Sequence, residues 1–271
     1  MSSMQNGLST SDKIKALILT YDKQIGLAQL LIKKYRQLEM ADVLSFVVPI
    51  NGQDSIFSVD AVDIEFIQSD SDILSTMHAL LSGFADDDWI FWAIDDRYPL
   101  TLDAKSFLEI TQYLSTAPAN INGIKLLHWR EKLTTDAIKI GETRYFLQEV
   151  ENTFGLWHHH FLRAKVLKSL FLRENSQQLN NITAINEYFC NSVPLSFLEG
   201  IYVPERPIAT LGEPLYQGKL TLNGKADLIR YDCRVPEYPV IERCMAFYDG
   251  QEQIELNPSA PKVVPSDFFK A

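Results

Sequence analysis

The chain is predicted to be an α/β protein, with a mainly parallel central sheet, helices on both of its faces, extra C-terminal strands and an extended tail. Two observations predict this. Trp89-Ile-Phe-Trp-Ala-Ile94 is wholly apolar. It is too short to cross a membrane and suits a strand buried on both faces. Around it, residues 14 to 94 alternate as strand, helix, strand, strand, helix, strand, the pattern of parallel strands joined by helical crossovers.

The elements follow in order. Lys15 to Tyr21 reads as a buried strand bounded by polar residues. From Gln24 to Leu38, Leu27, Leu31, Tyr35 and Leu38 recur at helical spacing. Val43 to Val48 is a second strand, stopped by Pro49 and the turn pair Asn51-Gly52. Ile64 and Phe66 alternate with Asp63 and Glu65 as a short third strand. Ile73, Met77, Leu80, Leu81 and Phe84 mark a second helix. Asp86-Asp87-Asp88 reads as a solvated loop before the Trp89 strand. A strand of that length spans roughly 20 Å at ~3.3 Å per residue, so these aspartates and Asp95 lie at opposite ends.

A third helix over Asp103 to Leu114 turns Phe107, Ile110 and Leu114 inward, and Gly123–His128 and Arg144–Val150 are further strands. Phe161 to Leu172 reads as a helix with Leu162, Val166 and Leu170 on one face and Arg163, Lys165 and Lys168 on another. Asn180 to Phe189 reads as a short helix, and Lys219 to Tyr231 as a hairpin around Asn223-Gly224. Residues 1–13 are expected to be a disordered lead and 257–271 an extended arm with Pro258, Pro261 and Pro265. Residues 14–256 are expected to form a single domain, its halves meeting near residue 130.

The net charge is −10 over 271 residues, which argues against a general nucleic-acid grip. Cys190, Cys233 and Cys244 are widely spaced and odd in number, which suggests a reducing compartment. Met1 to Asp12 lacks an apolar core of the secretory kind, and no stretch reaches the length of a transmembrane helix. The expectation is a cytoplasmic protein, at most peripheral to a membrane. No P-loop, G-x-G-x-x-G or G-x-S-x-G pattern occurs, which argues against an ATPase, dinucleotide enzyme or esterase of those classes.

The candidate site is Asp95-Asp96-Arg97, at the carboxyl end of the Trp89 strand. Ligands of open parallel sheets bind at such ends. An acidic pair there suits a divalent cation clamping a diphosphate. His158-His159-His160 lacks the convergent spacing of a full ligand set. One of the three is expected to face the cleft and the others to lie on the surface.

The order of elements ending in Asp-Asp resembles the nucleotide-sugar domain of the GT-A class of glycosyltransferases, over residues 14–190. Leu19-Thr20-Tyr21-Asp22 looks like the segment that this class places against base and ribose, and Ile94-Asp95-Asp96 like its metal and diphosphate signature. Phe154 to Arg163, followed by Leu167, looks like the acceptor-side segment of some polysaccharide-type transferases, and Gly218-Lys219 is weakly similar to that group as well. The signature is usually Asp-x-Asp, whereas the third place here is Arg97. Arginine is a fixed cation whose fork suits phosphate oxygens.

The resemblance implies transfer of a sugar from a nucleotide-diphosphate donor to a glycan or other hydroxyl acceptor. Asp95 and Asp96 would hold Mn²⁺ or Mg²⁺, and Thr20, Tyr21, Asp22, Arg97, Trp157 and His158 would bind the donor and flank the acceptor. Transfer with inversion needs a carboxylate to take the acceptor's proton. Glu187 resembles that base in position, with Asp96 and Glu149 as competitors. Two other readings stay open. One is a non-catalytic GT-A-like binding or assembly protein, which Arg97 favours. The other is a sugar nucleotidyltransferase, whose glycine- and lysine-rich loop Asp22-Lys23-Gln24-Ile25-Gly26 poorly supplies.

Overall fold

The computed structural model describes residues 13–52, 63–128, 131–149, 157–172, 199–248 and 252–255. Strand β1 (Ile14–Leu19), helix α1 (Ile25–Gln37), β2 (Leu44–Ile50), β3 (Ile64–Gln68), α2 (Ile73–Leu81) and β4 (Trp89–Ile94) follow one another in the order the periodicity predicts. Then come β5 (Tyr98–Leu102), α3 (Ala104–Leu114), β6 (Gly123–Lys125), β7 (Leu133–Ile140), β8 (Thr143–Gln148), β9 (His160–Arg163), α4 (Ala164–Phe171) and β10 (Ile201–Pro204). These build a 9-stranded sheet in the order β3-β2-β1-β4-β9-β6-β10-β8-β7. Only β9 and β8 run against the other strands.

β4 is interior, between β1 and β9, and its composition follows from that position. Phe91 and Ala93 enter one apolar layer, while Ile90, Trp92 and Ile94 enter the other. The first layer holds α1 and α3. Phe91 meets Tyr35 edge-on at 5.4 Å between centroids, and Phe107 lies 5.0 Å from Phe161. The second holds α2 and α4, with Met77, Leu80, Leu167 and Phe171 around Trp92. The fold is therefore α/β with helices on both faces of a mostly parallel sheet. No helix among the described residues is long and apolar enough to cross a membrane.

The C-terminal part adds β11 (Ala209–Glu213), β12 (Leu215–Tyr216), β13 (Lys219–Thr221), helix α5 (Leu222–Arg230), β14 (Val240–Ile241), β15 (Met245–Tyr248) and β16 (Glu252–Glu255). A 4-stranded sheet runs β16-β15-β11-β5 and a 3-stranded one β12-β13-β14. This part covers the outer face of α1. Lys33 donates to the Tyr231 carbonyl at 2.6 Å, and the Cβ that Gly26 lacks would sit 1.7 Å from the Arg234 carbonyl oxygen. That cover explains why α1 is buried from Ile25 to Ile32 and not on one stripe alone.

Several elements differ from the sequence reading. Asn223-Gly224 is no hairpin turn but the first turn of α5. Thr221 caps that turn, its hydroxyl accepting from the Gly224 amide at 3.3 Å. Asn223 instead bonds both backbone groups of Met245, and a Cβ on Gly224 would lie 2.4 Å from Pro214 Cα. Both residues serve close packing. Phe161 to Arg163 is strand rather than helix, because it fills the gap between β4 and β6. Arg163 is not on an exposed basic face but buried, while Lys165 and Lys168 pair with Asp87 and Asp86 of the solvated loop.

β2 runs through Pro49, since the β1 ladder has already ended at Leu17–Val47. The Phe46 amide donates toward β3, so the alternate Pro49 faces the side where no donor is required. β5 carries Pro99 because it is the edge of its sheet. The expected lead, the Asn180–Phe189 helix and the C-terminal arm lie outside the described residues.

Candidate functional site

From β1 the chain builds outward to β2 and β3 on one side, then returns to place β4 on the other. The order reverses between β1 and β4, and in open α/β sheets the crevice at such a reversal binds ligands. A cavity of about 610 Å³ lies there, at the carboxyl ends of the two strands. It is lined by Thr20 and Tyr21 after β1, Asp95, Asp96 and Arg97 after β4, Trp157 before β9, and Glu213 at the end of β11. The antiparallel course of β9 is what delivers Trp157 to this edge. His160 pairs with Trp92 near the carboxyl end of β4, so the residues before it continue toward the cavity.

The two adjacent acids occupy different surroundings. Asp95 is 6 % exposed, and Thr20 Oγ1 donates to its Oδ2 at 2.6 Å. The Gln24 amide, turned so that its nitrogen meets the carboxylate, donates to both oxygens at 3.1 and 2.9 Å. Burial pushes the Asp95 carboxyl well above the usual carboxylate range; the Thr20 bond opposes this and the neighbouring Asp96 charge adds to it. Asp95 thus ties the end of β1 to the end of β4, assisted by its amide bond to the Leu19 carbonyl at 3.2 Å. Asp96 is 38 % exposed at its side chain, with Oδ2 3.2 Å from Arg97 Nη1. Its Oδ1 is enclosed and has no hydrogen-bond partner among the described residues.

Arg97 spreads between two carboxylates. Nη1 also donates to the Asp96 carbonyl at 2.6 Å, and Nη2 lies 3.2 Å from Glu213 Oε1. Tyr21 shares a hydrogen bond of 2.9 Å with Tyr238, and burial followed by that bond raises its phenol above the ordinary range.

Other expected site residues lie elsewhere. Asp22 does not line the cavity; its Oδ1 accepts from the Asn51 amide at 2.9 Å. His158 does not line it either, and none of the three histidines lies on the surface, their exposures being 6 %, 0 % and 0 %. The reason is that they enter an interior strand, covered on both faces. His159 accepts from the Tyr35 hydroxyl at 2.7 Å, and its Nε2 lies 3.4 Å from the Ile94 carbonyl. Burial holds its pKa down to about 3. Glu149 is exposed and away from the cavity. Glu187, with Phe154 to Leu156, lies outside the described residues.

Sequence reasoning missed Gln24, Tyr238 and Glu213. Gln24 follows Asp22 within one 3-10 turn, so extending the loop after β1 would have found it. Nothing in the local sequence of β11 marks Glu213.

A divalent cation fits one of the two expected ligands. Asp96 is partly exposed on the cavity wall, whereas the Asp95 oxygens are taken by Thr20 and Gln24. Among the described residues no group of three or more His, Cys, Asp and Glu side chains is placed to hold a metal ion. A cation here would draw its remaining ligands from a bound anion and water, as Mg²⁺ commonly does.

No family model matches the chain. No curated protein matches it either. Similar solved structures include residues 1–349 of S. aureus TarS, with 11% identity, a TM-score of 0.44 and coverage of 73% of this chain. The chain spans 59% of that TarS chain. Francisella tularensis 2-C-methyl-D-erythritol 4-phosphate cytidylyltransferase (IspD) matches with 12% identity over 65% of this chain and 87% of its own, at a TM-score of 0.33. An active-site mutant of LgtC matches with 12% identity over 69% of each chain, at a TM-score of 0.35. At these identities and TM-scores none of them carries an activity over to this chain.

Proposed function

We propose that the chain is a GT-A-type glycosyltransferase, moving a sugar from a nucleotide-diphosphate donor to a glycan or other hydroxyl acceptor. The observation that supports this best is the cavity at the β1–β4 reversal, with Asp96 and Arg97 side by side at its base. Thr20 and Tyr21 would meet the nucleoside, and Arg97 the diphosphate. Trp157 would offer an apolar face to a sugar ring. Asp95 would act as a strut beneath them. Glu187 and Asp96 are the proposed carboxylates for the acceptor's proton.

Charge gives the cation its place in this reading. Asp96 and Glu213 outnumber Arg97, so an entering diphosphate brings repulsion unless a cation comes with it. A bound Mg²⁺ or Mn²⁺ would neutralise charge developing on the leaving diphosphate. The non-catalytic alternative keeps support from Arg97, which occupies the place of an acid and is itself paired on both sides.

Thermal melts with UDP, CDP, ADP and GDP, each with and without Mn²⁺, test the reading. A ligand at 100 times its Kd should add about 2.7 kcal/mol of stability. At least one diphosphate should raise the midpoint, more so with Mn²⁺, and Asp96→Asn should remove the Mn²⁺-dependent part. Failure of all four to shift the midpoint would remove the donor site. Binding without release of nucleoside diphosphate from any sugar nucleotide would favour the non-catalytic alternative.

A further inference from the structure

Glu213 poses a physical question. It is a buried carboxylate, 6 % exposed, on the wall of a cavity read above as an anion site. A negative charge there opposes an anion unless it does something else for it. The β5–β11 ladder shows what that is. Tyr98 pairs with Gly212 in antiparallel register, so the next step along both strands sets Arg97 beside Glu213. The two side chains meet at 3.2 Å, while Asp96 holds the other side of the same guanidinium. Two carboxylates on opposite edges fix the plane of an otherwise flexible side chain.

We infer that Glu213 is a positioning residue, and that it holds the Arg97 guanidinium in the plane that meets a diphosphate. The inference rests on the donor-site reading. It adds that the site is completed only by the C-terminal sheet, since β11 carries Glu213.

The test turns on sign. Glu213→Gln removes a negative charge at nearly constant shape. If Glu213 merely repelled the anion, binding would tighten. If it positions Arg97, binding weakens. Calorimetry would compare UDP, CDP, ADP and GDP, each against its parent nucleoside, in buffer with Mn²⁺. The expected result is a loss of about tenfold or more in affinity for the bound diphosphate, or about 1.4 kcal/mol, with the nucleoside unchanged.

A purely structural role would weaken nucleoside and diphosphate alike, and that outcome overturns the inference. Unchanged or tighter diphosphate binding overturns it as well. Should the Gln variant fold poorly, Arg97→Lys keeps the charge and loses the fork. It should show the same selective loss, and nucleoside weakening in parallel would count against the inference. If the wild type binds none of the four diphosphates, the donor-site reading fails first and this inference with it. If it binds one and Glu213→Gln shows a contrary pattern, the inference alone falls; a contrary pattern in Arg97→Lys removes the diphosphate role of Arg97 as well.

Discussion

Replacing Arg163 by Met should cost about 3 kcal/mol of stability without touching the cleft. Arg163 is 8 % exposed and sits at the end of β9 farthest from Trp157. Its Nε donates to the Ile121 carbonyl at 2.9 Å and its Nη1 to the Asp87 carbonyl at 2.7 Å. Nη2 is shared between the Ala117 and Pro118 carbonyls at 3.2 and 3.3 Å, and the guanidinium lies 4.7 Å over the Trp89 ring. These contacts are unequal. Ile121 is buried, so its carbonyl loses its partner outright, at about 1–3 kcal/mol. Asp87 and Pro118 are exposed, and water can replace the arginine there, leaving roughly 1 kcal/mol for those contacts. The ring contact adds about 0.5–1 kcal/mol. Met fills much of the space and leaves no buried charge behind. Urea unfolding with linear extrapolation measures the difference. A loss under about 1 kcal/mol would refute the reasoning, as would a loss of nucleotide affinity in the folded variant.

Two further outcomes can be checked on purified protein. The Asp95 carboxyl is raised in the folded state, so its contribution is fully present below its ordinary value of 3.8 and is lost as pH rises through the folded value. Asp95→Asn should therefore melt at or above the wild type at pH 8, and the difference should shrink toward acid; a variant equally destabilised at every pH would show that the charged form is the one the fold wants. Gly26→Ala should lose roughly 1–3 kcal/mol, since its Cβ would overlap the Arg234 carbonyl oxygen at 1.7 Å. Differential scanning calorimetry showing an unchanged midpoint for Gly26→Ala would mean that this loop yields freely.

The parts of the fold that the sequence made legible are those whose burial is extreme. β4 could be read because both its faces are covered, leaving no polar residue to blur the run. β7 went unseen because its residues are mostly half-buried or exposed and their alternation is weak. Asn223-Gly224 misled because the residues favoured in tight turns also allow close approach of two backbones, and only the position of Pro214 shows which applies. The candidate site divided in the same way. Asp95, Asp96 and Arg97 stand together in sequence and were read together. That Asp95 is a strut and Asp96 the open group depends on Thr20 and Gln24, whose reach is tertiary. Glu213 meets Arg97 only through the β5–β11 ladder, which no local pattern announces.

The lining of the cleft has a kinetic consequence. Its walls come from the ends of β1, β4 and β11, the start of α2 and the approach to β9, so they are gathered from most of the described chain. The β7–β8 pairing is local and can form early. The β5–β11 pairing closes a very long loop, and such closures are entropically slow. In refolding, recovery of helical signal should therefore run ahead of recovery of ligand binding. A chain halted during synthesis before β11 would carry all nine strands of the central sheet and still lack a finished pocket, which makes ligand capture a report on the last stage of assembly.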